Sequence, residues 1–372
     1  MESNRPISVA IRGAGGLLGH RLARAIMQTQ DDMRLDAVIL GTDQESFRRL
    51  QSACRALKHP PNFRIFIDAK QREVRRLMAA WASKWEFEPL DQSYNVLQKT
   101  DAIIDAAIVP GKDALAAFYE QYSRKKPIIH QSGRYPKYTT VAPPFDPNTT
   151  EDDCNFRQGD CLISGIAPVV FPFRNDMEEM QLRLLVQRQK PLHGPTIEEK
   201  IVDILIDTNL QRQIHANVAE LLPTVEPDMI DVSVMQAPMH VYYMCEFSVT
   251  FRQAKSADEI ITTLRNQPRI AIAPPEISLS TGNLKQYLQE PYEANGTPLE
   301  PIVLFTGRDA IEIRGRRAKF RIAIYSRAIT MLPNIDTVRG LVRGQALLNA
   351  MQITDEKFGF HSEEEQNRNY CQ

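Results

Sequence analysis

The chain has 372 residues, and its 45 Lys and Arg against 46 Asp and Glu give a formal net charge of −1. With 43% hydrophobic and 24% charged residues, the composition is that of a globular protein and excludes an intrinsically disordered chain. The balanced charge argues against a protein that binds nucleic acid or an anionic membrane surface, because both need an excess of basic residues. The length predicts two domains.

Cysteine usage and the N-terminal segment indicate the cellular compartment of the protein. The cysteines are scattered and form no CxxC pair, which is typical of a reducing compartment and predicts no metal site. They are Cys54, Cys154, Cys161, Cys245 and Cys371. The N-terminus is polar, and no run of about 18 apolar residues is present to span a bilayer. We therefore expect a cytoplasmic protein with neither a nucleic-acid nor a membrane partner.

A glycine-rich turn stands near the N-terminus, between a strand predicted over residues 8–12 and a helix predicted over 20–28. Its spacing is G-x-G-x-x-x-G. In this context glycines let backbone N–H groups approach a pyrophosphate at a helix N-terminus, so the turn predicts dinucleotide binding, with a purely structural turn as the alternative. The predicted cofactor-binding residues of the turn are Gly13, Ala14, Gly15, Gly16, Leu17, Leu18 and Gly19.

The end of the second predicted strand, residues 35–40, bears on the choice between NAD and NADP. An acid at this position favours NAD, and a small or basic residue favours NADP. Gly41 and Thr42 stand at the tip and Asp43 follows, with Arg48 and Arg49 nearby, so the pattern slightly favours NADP and leaves NAD open. Asp43 is at least as well suited to cap a helix over 45–57.

Strands and helices continue to alternate to the end of the first predicted domain. Buried strands are predicted over 101–107 and 127–130, with a helix over 114–123 between them, which is the order of a doubly wound parallel sheet. Residues 135–153 contain four prolines and are predicted to form an irregular connection.

The remainder of the chain is rich in predicted strands. They cover 180–189, 229–236, 242–252, 302–305, 311–313 and 319–328, and helices are predicted over 196–206 and 258–265. Because few helices separate these strands, we expect an α+β domain with a mixed or antiparallel sheet. An amphipathic helix is predicted over 336–351, and an acidic, polar tail ends the chain.

Several segments, in order along the chain, resemble those of one known family. They are residues 13–21, 99–105, 131–133, 264–270, 332–339 and 351–356. On these segments the chain resembles the archaeal-type (type II) glyceraldehyde-3-phosphate dehydrogenases. The resemblance implies a Rossmann dinucleotide-binding domain over 1–160, completed by a C-terminal helix over 334–352. It also implies an α+β substrate and oligomerisation domain over 161–333 and a homodimer or homotetramer. The polar tail, which the composition indicates, covers 361–372.

The same resemblance predicts that the family's thioester chemistry is absent. The family's nucleophilic cysteine lies in a Ser-Cys-Asn-Thr-Thr segment, which we match to residues 164–168, so that Gly165 takes the cysteine's place in the substrate site. The family's histidine base belongs to a His-x-His stretch, where Tyr243 stands here. Glycine cannot form a thiohemiacetal. On an extended strand, Cys161 would lie about 13 Å from Gly165, and a cysteine in such a position is more often a buried small hydrophobe than a catalytic thiol.

Other polar residues are candidates for the substrate site. Tyr243 and Cys245 lie two residues apart on a predicted strand and share a face, so Tyr243 is a candidate proton donor and Cys245 a candidate substrate contact, with core packing as the alternative. His240 and His215 are further catalytic candidates. Arg188, where the family has paired arginines, is predicted to bind an anionic substrate group.

On the cofactor side, the resemblance implies contacts from four more residues. Pro110 lies in a loop that reads Val-Pro-Gly-Lys, and Ser132 and Gly133 stand where the family has the glycines of a Gln-Gly-Gly segment. Asn334 matches an asparagine that the family uses near the nicotinamide carboxamide, and it is also suited to cap the last helix.

These observations support two main hypotheses. The first is a divergent NAD(P)-dependent oxidoreductase that moves hydride to or from a small anionic carbonyl or imine substrate without a cysteine thioester. The second is an altered or inactive dehydrogenase-like protein that acts as a nucleotide sensor, a scaffold or the partner of another enzyme. A third reading, in which the alignment is shifted and Cys161 or Cys245 is nucleophilic after all, ranks below both.

Overall fold

The computed structural model describes residues 5–55, 62–81, 85–107, 118–119, 122, 126–131, 138–148, 153–187, 204–238, 242–277, 279–295 and 301–360. The chain divides into two units, one formed by Met1–Asp160 with Met331–Lys357 and the other by Cys161–Thr330 with Phe358–Gln372. Each unit is built on its own eight-stranded sheet. The first sheet is parallel and flanked by helices and the second is mixed, which confirms the predicted fold class.

The first unit contains the parallel sheet. In spatial order its strands are β4 (Glu88–Pro89), β3 (Arg64–Ile67), β2 (Met33–Leu40), β1 (Ile7–Arg12), β5 (Ala102–Asp105), β6 (Ile128–Gln131), β8 (Asn155–Gln158) and β7 (Thr139–Val141). Both β1 and β5 are buried along their whole length, as parallel strands covered on both faces are. The strand order reverses between β1 and β5, and ligands of such sheets bind at the carboxyl ends of the strands at this point.

The helices of the first unit come partly from the N-terminal part of the chain and partly from its C-terminal part. They are α1 (Gly19–Thr29), α2 (Gln44–Cys54), α3 (Gln71–Ala80), α4 (Tyr94–Lys99), α10 (Leu332–Arg343) and α11 (Leu347–Phe358). The side chain of Asp43 caps α2 by accepting a hydrogen bond from the Ser46 amide. A cluster of buried apolar side chains, including Ala10, Phe66 and Ile103, fills one face of the sheet.

Arg339 ties the C-terminal helices to the beginning of the chain. Its side chain is 1% exposed, and its Nε donates to Asp32 Oδ2 over 2.9 Å. Its Nη2 donates to Gln30 over 2.6 Å, and its Nη1 donates to the hydroxyl of Thr354 and to the carbonyl of Ala350. This buried network explains why the last helices belong to the first unit although they lie far from it in sequence.

The second unit contains the mixed sheet. In spatial order its strands are β10 (Leu205–Ile206), β11 (Ile230–Ala237), β9 (Met177–Gln187), β12 (Tyr242–Phe251), β16 (Arg317–Tyr325), β14 (Ile302–Leu304) and β13 (Ile270–Ile272), with β15 (Ile311–Arg314) paired to β16. The β11–β9 and β13–β14 pairs are parallel, and the other neighbouring pairs are antiparallel. The helices are α5 (Cys161–Val170), α6 (Thr208–Leu221), α7 (Ala257–Arg265), α8 (Thr281–Asn295) and α9 (Ser326–Ile329).

Three predicted elements differ in type or extent from the observed ones. The described end of the helix predicted over 196–206 is strand β10. The strand predicted over 319–328 ends at Tyr325, because α9 begins at the next residue. The helix predicted over 336–351 is two helices, since Gly344 ends α10 in the left-handed region with φ of 62°.

Sequence periodicity also missed several elements. Cys161–Val170, which includes the segment for which the spacing of an extended strand was assumed, forms helix α5. Nearly every residue of α5 is buried, and periodicity cannot distinguish a fully buried helix from a buried strand. The predicted irregular connection contains β7, and helices α6 and α8 were not predicted. Most of the helix predicted over 114–123 lies outside the described residues. Within the described ranges, no helix has the length and apolar character needed to cross a bilayer.

Candidate functional site

A crevice opens at the carboxyl edge of the first unit's sheet. Its volume is about 590 Å³, and its lining comes from the segments that end or follow β1, β2, β3, β5 and β6. The lining residues are Arg12, Gly13, Gly16, Leu17, Leu18, Ile39, Leu40, Gly41, Asp43, Ser46, Arg49, Asp68, Ala106, Ala107 and Gln131. The crevice thus lies at the topological switch point between β1 and β5, where doubly wound sheets bind their ligands.

Close packing accounts for the glycines of the turn. Gly13 has φ of 76°, in the left-handed region, and a Cβ on it would lie 2.6 Å from the amide nitrogen of Ala107. A Cβ on Gly19 would lie 2.1 Å from the carbonyl oxygen of Gly13, so the beginning of α1 packs directly on the end of β1. Gly15 packs equally closely on α2, where a Cβ would meet Ser46 at 2.3 Å.

The turn residues divide between the crevice and the packed interior. Gly13, Gly16, Leu17 and Leu18 line the crevice. The remaining predicted residues of the turn, Ala14, Gly15 and Gly19, are not among the lining residues and serve the packing of α1 and α2.

The N-terminus of α1 is a favourable position for an anion. Leu18 at the N-cap provides no side-chain acceptor, and the first turn carries no acidic residue, so the helix dipole is not offset there. His20 in this turn hydrogen-bonds through Nδ1 to the Gly16 carbonyl over 2.7 Å. Burial lowers the pKa of His20 despite this bond, and Arg21 and Arg49 lower it further. Backbone amides and nearby cations therefore suit a phosphate group.

At the end of β2, Asp43 lines the crevice and also caps helix α2. Its Oδ1 accepts from the Ser46 amide and its Oδ2 from the Ser46 hydroxyl, both over 2.7 Å. Burial works to raise the pKa of Asp43, but the hydrogen bonds from Ser46 hold it below its ordinary value. Thr42 is exposed and does not line the crevice. The position of Asp43 is therefore compatible with a contact to the cofactor and with a helix cap, and the cap is the interaction present in this structure.

Two charged residues of the crevice were not predicted from the sequence. Arg12 ends β1, and its Nη2 lies 3.0 Å from Oδ2 of Asp68, which follows β3. Each has a sequence signal in retrospect, since a charged residue directly after an apolar parallel strand lies at the edge where ligands bind. Arg49, noted only as nearby, lines the crevice and reaches the Gly15 carbonyl through Nη1 over 3.4 Å.

Asn334 is placed at the same edge through Gln131. It is fully buried in α10, and its Nδ2 donates to Oε1 of Gln131 over 2.8 Å. Gln131 in turn lines the crevice, so Asn334 supports its wall without lining it. The other residues predicted to contact the cofactor here are Pro110, Ser132 and Gly133, and they lie outside the described residues.

In the second unit, the structure brings together a thiol and a phenol. Cys161 is the first residue of α5, and its Sγ lies 3.8 Å from the hydroxyl oxygen of Tyr243 on β12. The expected separation of about 13 Å between Cys161 and Gly165 is wrong, because one helical turn instead of an extended strand joins them. Cys161 is partly buried, and helix N-termini stabilise thiolates.

Gly165 lies one turn further along α5 and is packed against the sheet. A Cβ at this position would lie 2.7 Å from both Cδ1 and Cγ2 of Ile324 on β16. A larger side chain therefore does not fit unless Ile324 moves. The absence of a side chain at Gly165 has a packing reason, independent of any alignment to a catalytic segment.

The other described catalytic candidates are Cys245 and His215. Cys245 is fully buried on β12, and burial raises its pKa well above the ordinary value, with a further contribution from Glu246. This position favours the core-packing alternative for Cys245. His215 on α6 donates through Nε2 to the Pro227 carbonyl over 3.1 Å. His240 and Arg188 lie outside the described residues.

The fold and the crevice define the class as a protein with a Rossmann-like nucleotide-binding sheet and a second, mixed-sheet domain. No protein-family model matches the chain. The chain is 22% identical over 365 residues to the glyceraldehyde-3-phosphate dehydrogenase of Archaeoglobus fulgidus, a match that covers 95% of this chain and 98% of that protein. The similarity supports a relation to glyceraldehyde-3-phosphate-dehydrogenase-like oxidoreductases that use NAD(P).

Proposed function

We propose that this protein is an NAD(P)-dependent oxidoreductase of the glyceraldehyde-3-phosphate dehydrogenase-like type, which acts on a small anionic carbonyl or imine substrate. The observation that carries the proposal is the crevice at the β1/β5 switch point, where the glycine turn and the uncapped end of α1 suit a pyrophosphate. A bound nicotinamide dinucleotide supplies or accepts a hydride. The chain's own residues hold it and provide the proton chemistry.

The charges at the end of β2 support a preference for NADP. An NAD-specific site uses an acidic side chain to accept hydrogen bonds from the ribose hydroxyls. Here both oxygens of Asp43 already accept hydrogen bonds from Ser46, while Arg49 lines the same part of the crevice. Its present ion partner, Glu45, is an exposed residue of the same helix at 3.3 Å, and such pairs contribute little. Arg49 is therefore available to pair with a 2′-phosphate.

Proton chemistry in the second unit is assigned to Tyr243. Its hydroxyl is partly buried and hydrogen-bonded by the Cys161 thiol, so a proton donor is held at a fixed place. In this mechanism Cys161 orients Tyr243, and no bond forms between sulfur and substrate.

A second candidate mechanism makes Cys161 a nucleophile, and one observation favours it. The thiol stands at the first residue of a ten-residue helix, where a thiolate is stabilised, and the argument against it from strand spacing no longer holds. Cys161→Ser distinguishes the two mechanisms. A serine keeps a hydroxyl beside Tyr243 and preserves most activity in the first mechanism, whereas it abolishes activity in the second.

Titration of the purified protein with NADPH and with NADH tests the proposal. Trp81 and Trp85 are suitable fluorescence donors, because both rings contact Phe47, the neighbour of the crevice residue Ser46. We expect energy transfer to the nicotinamide and tighter binding of NADPH. Arg49→Gln should weaken NADPH and leave NADH nearly unchanged, while Arg48→Gln, an exposed residue outside the crevice, serves as the matched control.

The outcome also separates the proposal from its alternative. If both nucleotides fail to bind, the oxidoreductase proposal is wrong. If a nucleotide binds but no carbonyl or imine substrate is turned over, the alternative role as a nucleotide sensor, scaffold or partner of another enzyme is favoured.

A further inference from the structure

Asp68 is an acidic side chain that enters the crevice from the strand next to β2. It follows β3, which pairs with β2 in parallel, and its backbone amide donates to the Leu40 carbonyl over 2.9 Å. Its side chain is 48% exposed and lines the crevice together with Ile39 and Leu40. The carboxylate therefore stands in the crevice beside the end of β2.

Arg12 donates a hydrogen bond to one oxygen of this carboxylate. The Arg12 side chain is 8% exposed, its Nη2 lies 3.0 Å from Oδ2 of Asp68, and its guanidinium lies 5.4 Å from the centre of the Phe118 ring. Burial works to lower the pKa of Arg12, but Tyr119, Asp105 and Asp68 raise it, so the guanidinium stays charged. Arginine has donors only, and it therefore always presents an N–H to Asp68.

The second oxygen of Asp68, Oδ1, belongs to a half-exposed side chain that lines the crevice. Among the described residues, Oδ1 of Asp68 accepts no hydrogen bond, whereas Oδ2 is held by Arg12. An ionised carboxylate can only accept hydrogen bonds, so this oxygen selects a ligand group that carries an N–H or O–H.

The order of the strands predicts which part of a dinucleotide meets this oxygen. In doubly wound folds the pyrophosphate of a dinucleotide binds at the glycine turn after the first strand and the adenosine ribose at the end of the second, so a dinucleotide bound here would place its ribose at the end of β2. Its base would extend further from the glycine turn, and the strand beyond β2 is β3. Asp68 at the end of β3 is therefore the charged side chain placed to meet the edge of the base.

We propose that Asp68 is the residue that recognises adenine, by accepting a hydrogen bond from its exocyclic amino group while Arg12 holds the other carboxylate oxygen. This inference rests on the proposed function and adds a base specificity to it. A hypoxanthine base carries a carbonyl oxygen in place of the amino group. Two acceptors would then face each other, and the crevice discriminates against that base.

Comparison of NADPH with its hypoxanthine counterpart, reduced nicotinamide hypoxanthine dinucleotide phosphate, tests this inference by binding alone. We expect the hypoxanthine nucleotide to bind about tenfold or more weakly to the wild-type protein, as the loss of one charge-assisted hydrogen bond implies. Tryptophan energy transfer gives the two dissociation constants without any turnover.

Asp68→Asn replaces the acceptor oxygen Oδ1 with a donor amide group. Because Arg12 only donates, it retains the amide oxygen of Asn, and the amide N–H₂ then faces the base. We expect the dissociation constant of the hypoxanthine nucleotide, divided by that of NADPH, to fall to about one or below. The change should come mainly from tighter binding of the hypoxanthine nucleotide. Asp91→Asn, an equally exposed acid on the 3₁₀ helix Leu90–Gln92 outside the crevice, should leave the ratio unchanged.

The possible results separate this inference from the function on which it rests. Equal affinities of the two nucleotides for the wild-type protein, or an unchanged preference in Asp68→Asn, would overturn the role of Asp68 and leave the oxidoreductase proposal standing. Binding of neither nucleotide would overturn both. If the variant does not fold, the wild-type comparison still tests the inference, because equal affinities for the two nucleotides would overturn it.

Discussion

The thiol of Cys161 and the hydroxyl of Tyr243 lie 3.8 Å apart and join the first residue of helix α5 to strand β12. They are separated by more than eighty positions in the sequence, and the spacing of an extended strand does not predict their contact. The helix brings the thiol to the sheet that carries Tyr243. The relationship makes Cys161 the cysteine of the described residues whose reactivity is most informative.

Alkylation should distinguish the cysteines by their burial. We expect iodoacetamide to modify Cys161 in the folded protein and to spare Cys54 and Cys245. Both of these thiols are buried, and burial raises the pKa of Cys54 to about 11 and that of Cys245 well above its ordinary value. The thiolate is the reactive form, so both effects protect them. Peptide mass mapping before and after unfolding in urea measures the difference. Equal labelling of Cys245 and Cys161 in the folded protein would contradict it.

Replacement of Gly165 by alanine tests the close contact with Ile324. Alanine normally stabilises a helix relative to glycine by about 0.5–1 kcal/mol. At this position the added Cβ would lie 2.7 Å from two side-chain carbons of Ile324, and overpacking of this kind costs about 1–3 kcal/mol. We therefore expect a net loss in the free energy of unfolding, measured by urea denaturation.

Two companion variants make the Gly165 prediction specific. Gly282→Ala, at a helical glycine of α8 whose nearest neighbour is the Ser280 hydroxyl oxygen at 3.6 Å, should be neutral or stabilising. Ile324→Ala removes the two contacting carbons, so the cost of Gly165→Ala should shrink in that background. Additive effects in the double variant would show that the two residues do not interact in this way.

Gly19→Ala should disrupt the glycine turn. Its Cβ would lie 2.1 Å from the carbonyl oxygen of Gly13, and backbone on both sides leaves no flexible group to move. We expect loss of dinucleotide binding together with a lower free energy of unfolding, because α1 can no longer pack on β1. Nucleotide titration and urea denaturation of the same preparation report the two effects. Wild-type stability and affinity in this variant would contradict the packing of the turn.

The Arg339–Asp32 pair should make stability depend on pH in the acidic range. Burial works to raise the pKa of Asp32, but the hydrogen bond and charge of Arg339 hold it below its ordinary value. A carboxylate with a lowered pKa in the folded state stabilises the protein above its unfolded pKa of about 4, and this contribution is lost as the pH falls through the folded value. The free energy of unfolding should therefore fall as the solution is acidified below about pH 4.

Arg339→Met provides the comparison for that pH profile. Removing the buried guanidinium leaves Asp32 without its main partner and should cost about 3–5 kcal/mol. The part of the acid slope that Asp32 contributes should also become smaller, because the hydrogen bond and charge of Arg339 are lost and only the charges of Lys357 and Arg343 still lower the pKa of Asp32. Urea denaturation from pH 3 to pH 7 measures both effects. Parallel pH profiles for the variant and the wild-type protein would argue against a role for this pair.

The beginning of the first unit was predictable because its signals are local. A glycine turn between a short apolar strand and an amphipathic helix needs only neighbouring residues to be recognised, and β1, α1 and β2 lie within a few residues of their predicted bounds. The fully buried α5 was not predictable in the same way, since a continuous apolar run is compatible with a strand or a helix.

The sequence by itself determined the class of fold, the place of the glycine turn and the general chemistry of a dinucleotide crevice. Periodicity and backbone sterics act over a few residues and can be read along the chain. Tertiary structure alone decided that Asp68 pairs with Arg12 and that the Cys161 thiol contacts the Tyr243 hydroxyl. It also decided that Ile324 packs against Gly165 and leaves no room for a side chain there. These contacts join residues distant in sequence, and packing of whole elements, not local propensity, sets which side chains meet.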